Sequence, residues 1–311
     1  MIVNDLEKYS KVINECYLSN ECEMDIIALR EKFRDLTEKI SSEMQNFAKR
    51  RSDSGKNGII AELYSPADDD NIKSGERVFF TRRNAVYIDA ARKIIETLPY
   101  NTRNFFLAPL LSEASIHANT SGVFKGFYKN AETGIGQFGG KKRDALSRIK
   151  GDISLPFPVF SNFNCDTVIC NGDSNKIIYE LPDVDLAYID PPYNQHPYGS
   201  NYFMLNLIAD YVKPKNISRV SGIPDNWNRS DYNRKAHAYN LFKKLAEDIK
   251  AKYLLISFNS EGFIKNDEMA NLLKKIGKLE ILEIKYNTFK GSRNLNNREI
   301  HIKEYLYLLE K

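Results

Sequence analysis

Residues 184–193 read Val-Asp-Leu-Ala-Tyr-Ile-Asp-Pro-Pro-Tyr. The six residues Val184 to Ile189 form a short apolar run that ends on a carboxylate and two prolines. A run of that length, bounded by a turn signal, predicts a buried strand. Pro191 and Pro192 end it, because proline fixes φ and brings no N–H to a ladder. In open α/β sheets ligands gather outside the carboxyl ends of the strands, so Asp190 is expected at a working edge.

The flanks of this stretch alternate. Downstream, helical spacing covers Asn201 to Tyr211 and Tyr232 to Ala251, with a polar loop at 213–232 between them. A strand follows at Tyr253 to Phe258, then a turn at 259–262 and a helix to Ile276. Two last strands, Leu279 to Asn287 and Ile302 to Leu309, are joined by a basic segment. Upstream, Thr167 to Cys170 is a strand that ends near Asn171-Gly172-Asp173. Strands alternating with helices imply a mostly parallel sheet with helices on both faces, and the last two strands imply an antiparallel edge.

Toward the N terminus the pattern becomes helical. Residues 1–4 read as the end of a strand that runs into a helix from Leu6 to Tyr17. Ile26, Ile27, Leu29, Phe33, Leu36 and Ile40 recur at helical spacing within Glu23 to Lys49. Residues 85–97 and 102–118 also read as helices, and 51–58 and 65–75 as loops. Asp68, Asp69 and Asp70 lie in the second loop without further ligands at calcium-loop spacing, so they are read as solvated. From Asn119 the glycines 122, 126, 134, 136, 139 and 140 forbid a continuous helix.

The chemistry of Asp190 to Tyr193 suits methylation of an exocyclic amine. Such an amine is a poor nucleophile, because its lone pair is delocalised into the ring. The Asp190 carboxylate and the Pro191 carbonyl can both accept hydrogen bonds from the NH₂ group. They draw the nitrogen toward tetrahedral geometry and hold it in line with an electrophilic methyl. Tyr193 can stack on the base, which compensates for stacking lost when a base leaves a duplex. A plain strand-to-turn role is the rival reading, since Asp-Pro-Pro is good turn chemistry.

Composition is compatible with this. The chain has 311 residues, 42% of them apolar, with formal net charge +4, so it can bury a core and accept nucleic acid as a partner. No run of eighteen apolar residues and no signal-peptide pattern is present, which gives a cytoplasmic expectation with no membrane partner. Cys16, Cys22, Cys165 and Cys170 have no CxxC spacing and read as reduced thiols, with no metal site.

The stretch YIDPPYNQHPYGSNYFMLN resembles the adenine-specific DNA methyltransferases of the D12 class, in the branch found in bacterial and phage type II restriction–modification systems. The likeness continues through NDLEKYS, NTSGVFKGFYKN, DNWNRSDYNRKA, LLISFNSEGFI and TFKGSRNLNNREIHIKEYLYLL, and so touches nearly the whole chain. The resemblance implies an α/β, Rossmann-like sheet that binds S-adenosylmethionine, with a mainly helical target-recognition insertion. On that reading residues 1–20 and 155–311 form the catalytic domain and 21–154 the insertion. Asp5 is then expected to hold the cofactor ribose hydroxyls and Asp173 the cofactor adenine amine. Asp190, Pro191, Pro192 and Tyr193 form the methyl-transfer loop, with Asp190 also facing the cofactor. Taken alone, Asp5 and Asp173 also fit a helix N-cap or turn.

One departure stands out. Members of this family begin with a GxK-like segment and an FxGxG loop after the first strand, whereas this sequence opens at what corresponds to the second strand. GIGQFGG at 134–140 follows no strand and reads as a mobile loop. A second polypeptide, a truncation or another segment would each account for this.

Double-stranded DNA is the expected partner. Residues 119–150 carry Lys125, Lys129, Lys141, Lys142, Arg143, Arg148 and Lys150, interleaved with Phe124, Phe127, Tyr128 and Phe138. Asn119 and Gln137 are expected to read adenine edges. Arg229, and the segment from Lys290 with Arg293, supply further cations, and Tyr286 is placed to clamp a flipped base or to pack in the core. Three functions stay open at this level: adenine N6 transfer, cytosine N4 transfer, and a non-catalytic DNA-binding subunit or remnant.

Overall fold

The computed structural model describes residues 1–49, 58–141, 145–287 and 301–311. Its regular elements, in chain order, begin with strand β1 (Ile2–Asp5) and helices α1 (Lys8–Tyr17), α2 (Ile26–Lys49), α3 (Ile59–Leu63), α4 (Arg82–Glu96), α5 (Tyr100–Ile116) and α6 (Leu146–Lys150). Next come β2 (Val168–Asn171), α7 (Ser174–Ile177), β3 (Val184–Ile189), α8 (Tyr198–Asn201) and α9 (Phe203–Asp210). The last are α10 (Lys235–Asp248), β4 (Ala251–Asn259), α11 (Asn266–Leu273), β5 (Lys278–Asn287) and β6 (His301–Glu310). They divide into two compact units, one of residues 1–171 with 199–227, the other of residues 172–198 with 228–311.

The first unit is mainly helical. β1 and β2 pair in parallel, Ile2 opposite Val168 and Asp5 opposite Asn171. α2 is amphipathic, burying Leu29, Leu36 and Ile40 against the shared core. α4 starts on Thr81, whose side chain accepts from the Asn84 N–H at 3.2 Å and so serves one of the unpaired first-turn donors. A polar pin inside this core was not anticipated from sequence. Asp89 is 3% exposed and accepts from the N–H groups of Ile60 and Ala61 at 3.0 and 2.8 Å and from the Tyr211 hydroxyl at 2.7 Å. One turn on, Arg92 donates to the carbonyls of Ile208 and Ala209 at the end of α9, at 2.9 and 3.1 Å. α3, α4 and α9 are therefore locked together by charge-assisted bonds.

The second unit carries a four-stranded sheet of order β3-β4-β6-β5. β3 and β4 are parallel, while β6 runs antiparallel to both β4 and β5. The expected mostly parallel sheet is thus corrected: the hydrogen bonds form two sheets, with two parallel and two antiparallel pairings among the described strands. The antiparallel edge is present as expected. α10 and α11 cover one face, where Phe242, Leu245, Met269 and Leu273 pack on Ile189, Leu254, Ile256 and Tyr307.

β3 has its expected bounds but is not fully buried. Among the described strands it lies at the sheet's edge, and Leu186 and Tyr188 are 53% and 61% exposed. Ile189 is buried in the core, and Val184 and Ala187 pack partly against it. The six-residue run reads the same for a buried strand and for an edge strand with one apolar face turned to solvent.

Candidate active site

Asp190 follows β3 directly, at the end of the second unit's sheet where β4 ends in Asn259. β6 enters the sheet beside it, with Glu304 paired across from Asn259. The loop that follows is held at three points. The Phe263 N–H donates to the Tyr193 carbonyl at 2.7 Å. The Asn233 side-chain amide donates to the Asn194 carbonyl at 2.7 Å, and the Asn194 side chain accepts from the His196 N–H at 2.9 Å. The Tyr193 ring meets Phe258 edge-on, centroids 5.8 Å apart, and its hydroxyl hydrogen-bonds the Asn259 side chain. Two prolines plus these anchors leave the loop little freedom.

Pro191 is buried, while the Asp190 side chain keeps solvent access. Partial desolvation, and then the charge of Glu304, raise the Asp190 carboxyl above the ordinary aspartate range. The Tyr193 phenol is also raised, first by desolvation and then by Asp190 and Glu304, with Asn259 acting in the opposite direction. The site therefore presents an acceptor-rich, negatively polarised end of a sheet with an aromatic ring beside it. Such a site attracts an N–H donor.

Asp5 ends β1 and Asp173 precedes α7, and the side chain of each accepts from a nearby backbone N–H. One Asp5 oxygen accepts from the Glu7 N–H at 2.9 Å. Asp173 caps α7, accepting from the Asn175 N–H at 3.0 Å. A carboxylate offers about four lone-pair sites, so one such bond at each residue leaves room for a diol or an amine.

The expected DNA-reading residues divide. Asn119 is corrected: it is fully buried, donates to the carbonyls of Val78 and Gln137 at 2.7 and 2.8 Å, and accepts from the Gly139 N–H at 3.0 Å. Its amide is used up inside the first unit and cannot read a base edge. Gln137 shares that pin through its carbonyl. GIGQFGG is also corrected, from a mobile loop to part of a hairpin, with Lys129 bridged to Gly136 and the Asn130 N–H bonded to the Ile135 carbonyl at 2.8 Å.

Phe124, Phe127 and Phe138 face the core, leaving Lys125, Lys129 and Lys141 exposed. Lys129 sits 5.1 Å over the Phe127 ring and Lys150 sits 5.4 Å over that of Phe138. Arg229 is exposed. Lys142, Arg143, Lys290 and Arg293 lie outside the described residues, as does the side chain of Tyr286, a residue of β5 whose backbone pairs with Ile302 of β6. Sequence reading missed Asn233, Asn259 and Glu304. Asn233 does lie four residues past Arg229, within the stretch DNWNRSDYNRKA.

Residues 1–272 match a family model described as D12 class N6 adenine-specific DNA methyltransferase. The chain is 30% identical, over its whole length and 84% of the relative's, to the type II methyltransferase M.NlaIII of Neisseria lactamica. It is likewise 30% identical, over 99% of its length and 82% of the relative's, to the type II methyltransferase M.CviAII of Paramecium bursaria Chlorella virus 1. Similarity to M.FokI of Planomicrobium okeanokoites is 29% over 76% of this chain and 35% of that protein. No solved structure matches. Among the described residues no helix is long and apolar enough to cross a membrane, and no His, Cys, Asp and Glu cluster could hold a metal.

Proposed function

Since the chain belongs to the D12 class of N6 adenine-specific DNA methyltransferases, we propose that Asp190 to Tyr193 carry out the transfer on an adenine flipped out of duplex DNA. The observation that carries this reading is the anchored loop at the carboxyl end of β3. The Asp190 carboxylate and Pro191 carbonyl accept from the adenine amine and orient its lone pair, and Tyr193 gives the flipped base a surface to stack on. Asp190 accepts its share of the amine most strongly when ionised. The methylated amine is cationic and releases its proton readily, so no strong base is required.

S-adenosylmethionine supplies an electrophilic methyl group to this chemistry. Asp5 would accept from the ribose diol and Asp173 from the adenine amine of that cofactor, and the spare acceptor capacity of both carboxylates supports the assignment. Among the described strands β3 is paired on one side only, and Leu186 and Tyr188 are exposed, which supports pairing with a further strand that brings a glycine loop from a second polypeptide. Residues 21–154 serve target recognition, and residues 1–20 and 155–311 serve catalysis. Lys125, Lys129, Lys141 and Arg229 meet phosphates, the work being done in the cytoplasm, where the DNA is.

The test uses labelled S-adenosylmethionine and mixed-sequence duplex DNA, with and without the product of the neighbouring gene. Asp190→Ala is expected to abolish label transfer and leave gel-shift affinity for DNA unchanged within about twofold. Transfer surviving that change would overturn the mechanism. A gel shift without transfer by the unmodified chain in both arms would favour a DNA-binding remnant.

A further inference from the structure

Asn233 touches the transfer loop without belonging to it. It closes a single helical turn, Asp231–Asn233, that begins on Ser230 and precedes α10. Its amide nitrogen donates to the Asn194 carbonyl at 2.7 Å, while its oxygen is buried and has no hydrogen-bond partner among the described residues. Reversing the amide would set oxygen against the Asn194 carbonyl oxygen, so that one bond decides the orientation of the group. A buried acceptor left unpaired is costly, and natural proteins keep few of them. The side chain is therefore held here for what its nitrogen does.

The turn is fixed from the other side too. Tyr232 is buried, and its hydroxyl donates to the Asn175 side-chain oxygen at 2.8 Å. The Asn175 amide donates to the Leu241 carbonyl at 2.9 Å, and its backbone N–H bonds Asp173. A continuous path thus runs within the second unit from Asp173 through Asn175, Tyr232 and Asn233 to Asn194, next to Tyr193.

We propose that Asn233 is a positioning residue that sets the transfer loop, and that the Tyr232–Asn175 bond couples its placement to Asp173. The inference rests on assigning transfer to Asp190–Tyr193. Asn233 acts through the loop backbone, so it governs the reacting geometry and not the affinity for either substrate. Misplacing a reacting group by about 1 Å can cost roughly 10²-fold in rate.

The full chain is assayed as the unmodified protein and as Asn233→Ala, Asn233→Asp, Tyr232→Phe and Asp190→Ala. Asn233→Ala is expected to lower kcat by at least about 10-fold, with KM for DNA and for S-adenosylmethionine unchanged within about twofold. Asn233→Asp, which replaces the donor with an anion facing a carbonyl, should be no better. Tyr232→Phe, which cuts the link to Asp173, should lower kcat by a smaller factor, with KM for DNA unchanged within about twofold. Amide hydrogen exchange across residues 190–196, read without any turnover, should quicken about 10-fold in Asn233→Ala while the rest of the unit keeps its protection. Unchanged exchange in that segment, or a rise in KM at constant kcat, would overturn the proposal. Activity in Asp190→Ala would instead overturn the transfer-loop reading. A protein-wide rise in exchange would assign Asn233 to folding alone and count against it as well.

Discussion

Replacing Asn119 with alanine separates two roles that look alike in the sequence. The side chain makes three buried hydrogen bonds, to Val78, Gln137 and Gly139. Each is worth about 1 kcal/mol net, and the substitution also leaves two carbonyls and one N–H without their partner. A loss of about 3–5 kcal/mol follows, since water entering the gap would restore part of the deficit. For a domain of this size that is a fall in Tm of roughly 10 °C. The hairpin carrying Lys129 should loosen with it, because Asn119 ties its far side to the irregular segment at Val78. The assay pairs thermal melting with DNA binding across a panel of duplexes changed one base at a time. Affinity should fall by a similar factor on every duplex. If melting moved by less than about 1 °C, well short of the 10 °C scale, while discrimination relaxed at a single adenine, Asn119 would be a base reader after all.

Two further outcomes follow from the charges. Asp190 accepts most strongly when ionised, and its pKa is raised, so activity should be lost as pH falls through a value above the ordinary aspartate 3.8. Glu304→Gln removes one cause of that shift and should move the acid limb of kcat/KM to lower pH, leaving the part due to desolvation; an unmoved limb would remove Glu304 from the site. Lys125→Ala, Lys129→Ala and Lys141→Ala should each weaken DNA binding evenly across sequences and reduce the slope of log K against log salt by about 0.9. A change in sequence preference from any one of them would mean that it contacts a base.

How legible all this was depended on range. Local patterns were readable: β3 has the bounds its residues imply, and the periodicity of α2, α4, α5 and α10 marks real helices. The end of β3 at Asp190 was readable because proline chemistry is local. Solvent exposure of β3 was not, because Val-Asp-Leu-Ala-Tyr-Ile satisfies either environment and the choice depends on which strands pair with it. Asn119 misled for a similar reason. An amide amid lysines and glycines looks like a reader of bases until its three partners, from 78 to 139, are brought to it by folding. Glu304 and Asn233 reach the loop from 114 and 43 positions past Asp190, counted from the numbering, and no spacing rule connects them. The phenylalanines of residues 119–150 turned inward, since burying a ring outweighs keeping it for a base not yet present.

The place of β6 has a consequence for synthesis. It is made after both β4 and β5, yet it lies between them and bonds to both. During translation β4 and β5 can meet no partner in each other, and Glu304 is not yet beside Asn259. At about 5–20 residues per second the nascent chain holds these open strands for a second or more. A stop codon or a protease cut ahead of His301 would therefore not trim the sheet at its margin. It would remove the middle strand and release β5 altogether, along with the carboxylate that tunes Asp190.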